Sequence, residues 1–372
     1  MIRVLVVDDS MFMRGTISKA LTATGAFEVV GQARSGEEAL KRVLELGPDV
    51  VTMDFNMPGW TGAEAVREIM RQRPTPVVMF SAHTQKGAKE TLEALTAGAV
   101  DFVAKPDGEV STDISKVQDE LVRKLTAAAT SRPRAGAEPS RREPSKVKLM
   151  AALGSSIDGP PSSKSPPSSK SPPSSGPLST PRGALTGALP KLCVIAISTG
   201  GPVALSHLLP ALPADTRFAI VVVQHMPAHF TASLAERLDL DCALTVREAS
   251  DGDRPEPGLV LIAPGDRHLE FDARGAVVLG DGPQVHGCRP AADVTMLSAA
   301  RVFGKRTIAV VMTGMGKDGA QGALAIRRAE GRTIAQDQDS CVIFGMPKAA
   351  IEAGAIEEIA PLDEIASRLR FL

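Results

Sequence analysis

The chain has 372 residues, of which 43% are hydrophobic and 23% are charged, a composition typical of a soluble globular protein with two or three domains. A net charge of −1, one Trp and no Tyr argue against a surface that binds nucleic acid through charge and base stacking. No apolar run approaches the roughly 20 residues that span a bilayer, and the start MIRVLVVDDS lacks a secretory pattern. We therefore expect a cytoplasmic protein with no membrane insertion and no nucleic-acid partner.

The cysteines are scattered along the chain and include no Cys-x-x-Cys pair. Such spacing argues against a disulfide framework and against a structural zinc site. The sequence therefore predicts buried free thiols in a reducing compartment. They are Cys193, Cys242, Cys288 and Cys341.

Residues 1–126 alternate short β-branched runs with stretches in which apolar residues recur every three or four positions. The predicted strands are residues 2–7, 27–31, 50–53, 77–80 and 100–103. The predicted helices are residues 12–23, 36–46, 62–72, 87–97 and 113–126. Five strands, each followed by a helix, imply a parallel, doubly wound sheet of the flavodoxin-like kind with right-handed crossovers.

Residues 127–189 break this periodicity. Between 160 and 177, fifteen of eighteen residues are Pro or Ser, arranged in a six-residue repeat. Such a segment cannot form a core, and proline favours an extended polyproline II chain of about 3.1 Å per residue. We interpret the segment as a long disordered linker, with a proline-motif ligand or an anionic docking site as the alternatives.

Residues 190–372 form a second predicted α/β domain, Rossmann-like with helices on both faces of a parallel sheet. The predicted strands are 192–197, 218–223, 259–263, 276–279, 307–312 and 333–335, and the predicted helices are 204–209, 232–238, 294–302 and 319–329. Residues 268–271 pair with 276–279 across an Ala-Arg-Gly turn, which predicts an antiparallel β-hairpin on this sheet.

Acidic residues stand at the ends of strands in the first domain. Asp8 and Asp9 follow the first strand and Asp54 follows the third, so all three lie at the same carboxyl edge of the sheet. Clustered carboxylates repel one another unless a divalent cation lies between them, and hard oxygen ligands suit Mg²⁺. Ser81 and Lys105 stand at the ends of the fourth and fifth strands on that same edge.

This set of residues resembles the receiver domain of two-component response regulators, and the resemblance spans essentially residues 1–126. It implies that Asp54 accepts a phosphoryl group from a phosphohistidine and that Lys105 contacts this group. It also implies that Ser81 and Phe102 are the two switch positions. The implied ligands of Mg²⁺ are Asp8, Asp9, Asp54 and the main-chain carbonyl of Asn56.

The second domain supplies a candidate nucleophile and base. Ser198 ends an apolar run and precedes Thr-Gly-Gly-Pro, which predicts a sharp strand-to-helix turn that exposes an oxygen and aims main-chain N–H groups at it. His225 and Asp318 follow two further predicted strands, on the edge where a cleft forms. These roles predict a triad in which His225 takes the Ser198 proton and Asp318 orients the imidazole. Further cleft candidates are Thr199, Gly200 and Arg289.

Each triad residue also has a plainer structural interpretation. A serine before Gly-Gly is more often a helix cap, and Asp318 would also cap a helix that begins at Gly319. A lone histidine after a strand is more often a structural group. The other histidines of this domain that we assign to structural or surface roles are His229, His268 and His286, the last of which also lies close enough to the predicted cleft to line it.

Five motifs of the second domain resemble the CheB family, chemotaxis response regulator protein-glutamate methylesterases, over about residues 191–372. They are Ser198-Thr-Gly-Gly-Pro, Gln224-His-Met-Pro, Ile262-Ala-Pro-Gly-Asp, Thr313-Gly-Met-Gly-Lys-Asp-Gly and Phe344-Gly-Met-Pro. The resemblance implies Ser198 as nucleophile, His225 as base and Asp318 as third member. It also implies the Met315 amide as an oxyanion donor.

The same resemblance implies a function. The substrates would be γ-methyl glutamate esters on the cytoplasmic helices of methyl-accepting chemoreceptors, with methanol released and with glutamine deamidation as a second activity. A CheA-type histidine kinase would be the phosphodonor. Mg²⁺ would serve receiver phosphorylation, and the esterase chemistry would need no cofactor.

Two other functions stay open from the sequence. Ile197 is a branched residue at a position where the family usually has a small one. If this residue had abolished catalysis, the second domain would be a non-catalytic signalling module. Alternatively it would be a serine hydrolase for small-molecule esters.

Overall fold

The structure is a computed structural model that describes residues 1–81, 84–105, 115–131 and 189–370. Residues 132–188, which make up most of the predicted linker, lie outside the described residues, and so does His83, a histidine of the first domain. Within those ranges, no helix combines the length and the apolar character that a membrane crossing requires.

The first domain is a five-stranded parallel sheet in the order β2-β1-β3-β4-β5, with helices between the strands. The strands are β1 (Ile2–Val7), β2 (Phe27–Ala33), β3 (Val50–Asp54), β4 (Val77–Ser81) and β5 (Asp101–Ala104). The helices are α1 (Met11–Ala23), α2 (Gly36–Leu46), α3 (Gly62–Gln72), α4 (Gln85–Thr96) and α5 (Ser115–Ala129). The flavodoxin-like prediction is confirmed.

Local sequence explains where these helices begin and end. Ser35 and Thr84 each accept a hydrogen bond from a main-chain amide in the first turn of the helix that follows. Thr61 forms a reciprocal capping box with Glu64 at the start of α3. Helix α5 runs three residues past the predicted end because its last turn is a run of alanines, of which Ala128 is fully buried.

The second domain contains a seven-stranded sheet in the order β14-β13-β12-β6-β7-β9-β8, in which every neighbouring pair is parallel. Its strands are β6 (Lys191–Ile197), β7 (Phe218–Gln224), β8 (Thr245–Glu248), β9 (Leu259–Ile262), β12 (Thr307–Val311), β13 (Arg332–Gln336) and β14 (Glu358–Ala360). The predicted hairpin forms from β10 (His268–Phe271) and β11 (Val277–Gly280) as a separate two-stranded sheet.

The helices of this domain are α6 (Gly201–Leu208), α7 (Phe230–Asp241), α8 (Ala292–Phe303), α9 (Ala320–Arg328), α10 (Met346–Glu352) and α11 (Leu362–Arg370). The sequence patterns missed β8, β14, α10 and α11. Both strands are short edge strands with one buried residue each, so neither shows the apolar run that marks the buried strands β6 and β7.

Strand β6 lies at the centre of this sheet, between β12 and β7. The chain leaves β6 toward β7 on one side and returns to its other side only at β12, so the strand order reverses at this point. Such a reversal opens a crevice beyond the carboxyl ends of the strands, where ligands bind in open α/β sheets. The predicted catalytic residues follow these three strands.

Candidate active site

Ser198 directly follows β6 and stands on a tightly held turn. Its main-chain N–H donates to the carbonyl of Thr313 at 3.0 Å. Its carbonyl accepts from the amide of Gly201 at 2.8 Å and from Nε2 of Gln224 at 3.0 Å. Gly200 adopts a φ of 79°, a left-handed conformation that glycine takes without strain. The serine is therefore fixed by Gln224 at the end of β7, by Thr313 just beyond β12 and by Gly201 at the start of the next helix.

Ser198 is half-buried, and a glycine packs closely against it. A Cβ atom added to Gly314 would lie 2.8 Å from Cβ of Ser198, so only glycine permits the two segments to approach this closely. Ile197 is completely buried within the core of the domain. Its branched side chain therefore packs into the interior of the domain.

His225 follows β7 and forms a hydrogen-bonded pair with Asp318, with 2.7 Å between Nε2 and Oδ2. Asp318 is 2% exposed, and its carboxylate also accepts from the amides of Ala292 at 2.6 Å, Asp293 at 2.9 Å and Gly319 at 3.0 Å. Burial alone would raise the pKa of Asp318, but the hydrogen bond and charge of His225, with these amides, lower it below its usual range. Asp318 is therefore an ionised, rigidly held partner for the imidazole.

The other ring nitrogen of His225, Nδ1, faces Sγ of Cys288 at 3.6 Å. Because Nε2 is bonded to Asp318, Nδ1 is the nitrogen left to accept a proton from a substrate or nucleophile. Burial alone would lower the pKa of His225, but Asp318 and Cys288 outweigh it and raise the pKa to about 9. Within the described residues, no hydrogen bond yet joins the Ser198 hydroxyl to this ring. Such bonds often tighten only when substrate binds.

Three main-chain amides near Ser198 are candidates to bind an oxyanion. The N–H groups of Thr199, Gly200 and Met315 donate to no acceptor in the part of the chain that the structure describes. The segment that carries Met315 is held in place because the Gly314 carbonyl accepts from the amides of Gly345 and Met346. Unpaired donors beside a nucleophile are the feature that stabilises developing negative charge in acyl transfer.

Arg289, His268 and His229 were also considered from the sequence, and the structure shows what each of them contacts or where it stands. Arg289 donates through Nη1 to the carbonyls of Asp281 and Gly282, and among the described residues no hydrogen bond joins it to Ser198 or His225. His268 accepts from the Ala291 amide and contacts the Pro283 carbonyl, which is a structural role. His229 stands before α7 with a φ of 70°.

His286 pairs with Asp293 at 2.9 Å, and its ring lies within 4.8 Å of a carboxylate oxygen of Asp318. The prediction of buried thiols is correct for Cys193 and Cys242, whereas Cys288 and Cys341 are half-buried. Sequence reasoning missed the place of Cys288 beside the base, since no motif spacing signals it.

The acidic residues of the first domain lie close together, as expected from their positions at the carboxyl ends of the strands. Carboxylate oxygens of Asp8, Asp9 and Asp54 lie within 4.8 Å of one another. Nζ of Lys105 lies 2.9 Å from Asp54 and 3.2 Å from Asp8. Burial raises the pKa of Asp54, the Lys105 charge opposes this, and the Asp8 charge adds to it, so that the pKa is about 6. Three clustered carboxylates paired with one lysine keep a net negative charge and offer the hard oxygen ligands that suit Mg²⁺.

The other receiver residues lie around this cluster. The Ser81 hydroxyl is buried and donates to the Gly87 carbonyl at 3.4 Å. The side-chain amide of Asn56 donates to Glu90 at 3.0 Å. This bond does not involve the main-chain carbonyl of Asn56, which is the atom predicted to bind the cation.

Strand β5 of the receiver contacts the nucleophile turn of the second domain. Oγ1 of Thr199, the residue after the candidate nucleophile, donates to Asp101 at 2.5 Å. Asp101 also accepts from Nζ of Lys124 on α5 at 3.2 Å. The ring of Phe102 stacks on Phe230 of α7 with centroids 4.5 Å apart. The predicted switch residue Phe102 therefore contacts α7, and its neighbour Asp101 contacts the nucleophile turn.

Comparisons with known proteins agree with this architecture. The response regulator receiver domain family matches residues 4–112, and the CheB methylesterase family matches residues 193–369. A protein-glutamate methylesterase/protein-glutamine glutaminase of Symbiobacterium thermophilum is 45% identical over 99% of this chain and 96% of its own length. A protein-glutamate methylesterase/protein-glutamine glutaminase of Pyrococcus abyssi is 42% identical over 98% of this chain and 91% of its own length.

Among solved structures, the CheB methylesterase catalytic domain of Thermotoga maritima is 46% identical and covers 49% of this chain and 98% of its own, with a TM-score of 0.48. The full-length identities with the curated relatives decide the assignment. The chain belongs to the family of CheB methylesterases that carry a response regulator receiver domain.

Proposed function

We propose that the protein is a phosphorylation-activated protein-glutamate methylesterase that also deamidates glutamine, with Ser198, His225 and Asp318 as its triad. The observation that carries this proposal is the His225–Asp318 pair. Its 2.7 Å bond uses Nε2 and leaves Nδ1 as the base, at the edge of the sheet where Ser198 directly follows the neighbouring strand. The names of the full-length relatives support both activities.

The reaction follows from these roles. Nδ1 of His225 removes the Ser198 proton while Oγ attacks the γ-carbonyl carbon of a methylated glutamate. The free amides of Thr199, Gly200 and Met315 stabilise the oxyanion. The imidazolium then returns its proton to the leaving methoxide, and methanol departs. Water attacks the acyl-enzyme by the same route and releases glutamate, and with glutamine the first leaving group is ammonia.

The substrates are esters and amides on the cytoplasmic helices of chemoreceptors, in chemotaxis or a related sensory pathway. The phosphodonor is a CheA-type histidine kinase, and the protein acts in the cytoplasm. Asp8, Asp9, Asp54 and the Asn56 carbonyl would hold Mg²⁺, which neutralises negative charge during phosphorylation of Asp54. Lys105 remains in contact with Asp54 and is placed to pair with the new phosphoryl oxygens.

Regulation acts through the contact of β5 with the nucleophile turn. Thr199 is 3% exposed and Asp101 is 8% exposed, so receiver and nucleophile turn bury each other. A receiver in this position restricts the approach of a receptor helix to Ser198. Phosphorylation of Asp54 recruits the Ser81 hydroxyl and shifts Phe102, and the loss of the Phe102–Phe230 stack releases the turn.

The proposal is tested by methanol release from methylated chemoreceptor in the presence of a small phosphodonor. Ser198→Ala is expected to lower kcat on the order of 10³-fold or more. Equal release by Ser198→Ala and the native protein would mean that the domain is not a serine esterase. Turnover of p-nitrophenyl esters without any activity on receptor helices would favour a small-molecule hydrolase instead.

The regulatory part is tested by Asp54→Asn. Acetyl phosphate is expected to stimulate the native protein, whereas in Asp54→Asn the ratio of stimulated to basal rate falls to one. Stimulation of the variant equal to that of the native protein would contradict the assignment of Asp54 as phosphoacceptor.

A further inference from the structure

Cys288 and His225 together have the geometry of half a tetrahedral metal site. Sγ of Cys288 lies 3.6 Å from Nδ1 of His225. In tetrahedral zinc sites the metal lies about 2.0 Å from nitrogen and about 2.3 Å from sulfur, which places two such ligand atoms roughly 3.5 Å apart. The observed separation therefore accommodates one Zn²⁺ ion bound to both atoms without rearrangement of the backbone.

The surroundings of His225 are those of a metal-binding imidazole. Its side chain is nine-tenths buried, and its Nε2 is bonded to the Asp318 carboxylate. A carboxylate on the far nitrogen fixes the tautomer and increases the basicity of the nitrogen that faces the metal. Asp318 is itself held by three main-chain amides. The ring therefore directs Nδ1 at the thiol in a fixed orientation.

The thiol is held with similar rigidity. Cys288 ends a two-residue turn that begins at Val285, and the two residues exchange main-chain hydrogen bonds of 3.1 and 2.9 Å. The central residues His286 and Gly287 have φ values of 54° and 74°, which define a tight hairpin turn. The bond from His286 to Asp293 anchors this turn to helix α8. Cys288 therefore stays opposite His225 and remains half-exposed to solvent.

A second group of potential ligands nearby is less suitable. His286, Asp293 and Asp318 lie within 4.8 Å of one another. However, the Asp318 oxygens already accept from His225 and three amides, and Asp293 accepts from His286 and from the Gly322 amide. Those oxygens are occupied by the protein itself, whereas among the described residues the one hydrogen-bonding partner of His225 Nδ1 is the Cys288 thiol.

We propose that a thiophilic divalent cation such as Zn²⁺ binds Cys288 and His225 and inhibits the esterase. As the metal binds, the Cys288 thiol and the protonated His225 ring each release a proton to solvent, so that the thiolate and the lone pair of Nδ1 both bind the metal. That lone pair is the one that takes the Ser198 proton, so catalysis stops while the cation is bound. Hard cations such as Mg²⁺ bind the receiver carboxylates and have little affinity for a thiolate.

The inhibition rests on the proposed function, but the binding does not. The test titrates ZnCl₂ into the full-length protein in excess Mg²⁺ and acetyl phosphate, with each variant compared with its own zinc-free rate. Native protein and the matched control Cys341→Ser are expected to be inhibited alike. Cys288→Ser is expected to require at least about tenfold more zinc for half inhibition, because one of two protein ligands is weakened.

A second readout needs no activity. Addition of CdCl₂ is expected to give thiolate-to-cadmium charge-transfer absorption in the native protein and in Cys341→Ser, but not in Cys288→Ser. A cadmium band that persists in Cys288→Ser, or equal zinc inhibition of Cys288→Ser and native protein, would overturn the proposed site. If Ser198→Ala showed the proposed function to be wrong, the cadmium band would still decide whether the metal site exists.

Discussion

The acidic cluster of the receiver and the His225–Asp318 pair both lie beyond the carboxyl ends of parallel strands, but their carboxylates are stabilised differently. Asp54 and Asp8 share one lysine, and the pKa of Asp54 is raised to about 6 by burial against the opposing charge of Lys105. Asp318 accepts three main-chain N–H groups and an imidazole, and these bonds keep its pKa low despite burial. Uncompensated charge suits a site that must bind a cation and a phosphoryl group, whereas compensated charge suits one that must hold a base in a fixed orientation.

Because His225 depends on this rigid carboxylate, Asp318→Asn is expected to lower kcat more than any other change that leaves Ser198 in place. An amide cannot hold the imidazole in the tautomer that presents Nδ1 as base, so kcat for methanol release is expected to fall on the order of 10³- to 10⁴-fold. Asp293→Asn is the matched control because Asp293 bonds His286 instead of His225. Thermal unfolding of both variants shows whether the loss comes from unfolding. A rate of Asp318→Asn within tenfold of the native rate would contradict the role of Asp318.

The Thr199–Asp101 contact between the two domains predicts a smaller change, in which the basal activity rises instead of falling. Asp101→Asn keeps an oxygen for Thr199 but removes a charge-assisted hydrogen bond, so the docked receiver loses about 1.4 kcal/mol and basal activity rises roughly tenfold. The control is Lys89→Ala, which breaks the exposed 3.3 Å ion pair of Lys89 with Glu236 and is expected to change the rate less than about twofold. The measurement is methanol release without phosphodonor. Unchanged basal activity in Asp101→Asn would mean that the contact does not restrain the enzyme.

The smallest predicted effect concerns the pH dependence of the base. His225 must be neutral to accept a proton, and its pKa is raised to about 9 in the substrate-free protein, so kcat/KM is expected to rise with pH and reach half its maximum near pH 9. Cys288 favours the charged imidazole, so Cys288→Ala is expected to shift this rise to lower pH, measured in a buffer that contains a metal chelator. Cys341→Ala should leave the profile in place. A shift of Cys288→Ala to higher pH would show that the thiol does not stabilise the imidazolium.

The residues that could be predicted from sequence are those fixed by a strand end. Asp8 and Asp54 end or directly follow strands of a parallel sheet, and Ser198 and His225 directly follow β6 and β7, so their shared edge follows from topology. The buried strands were predicted within a few residues because both of their faces are apolar.

The contacts that could not be predicted join residues far apart in sequence through conformations without a local signal. The Cys288–His225 contact spans 63 positions and depends on a left-handed φ at His286, a residue that does not usually adopt it. The Thr199–Asp101 bond spans 98 positions and depends on how two domains pack. Strands β8 and β14 were not predicted because their solvent-facing residues interrupt the apolar pattern.

The account is tested most directly by covalent labelling of the nucleophile with a fluorophosphonate, followed by peptide mapping. We expect the label on Ser198, attached faster after addition of acetyl phosphate to the native protein and without acceleration in Asp54→Asn. A label on another residue, or a labelling rate that acetyl phosphate leaves unchanged in the native protein, would contradict an esterase serine controlled by the receiver.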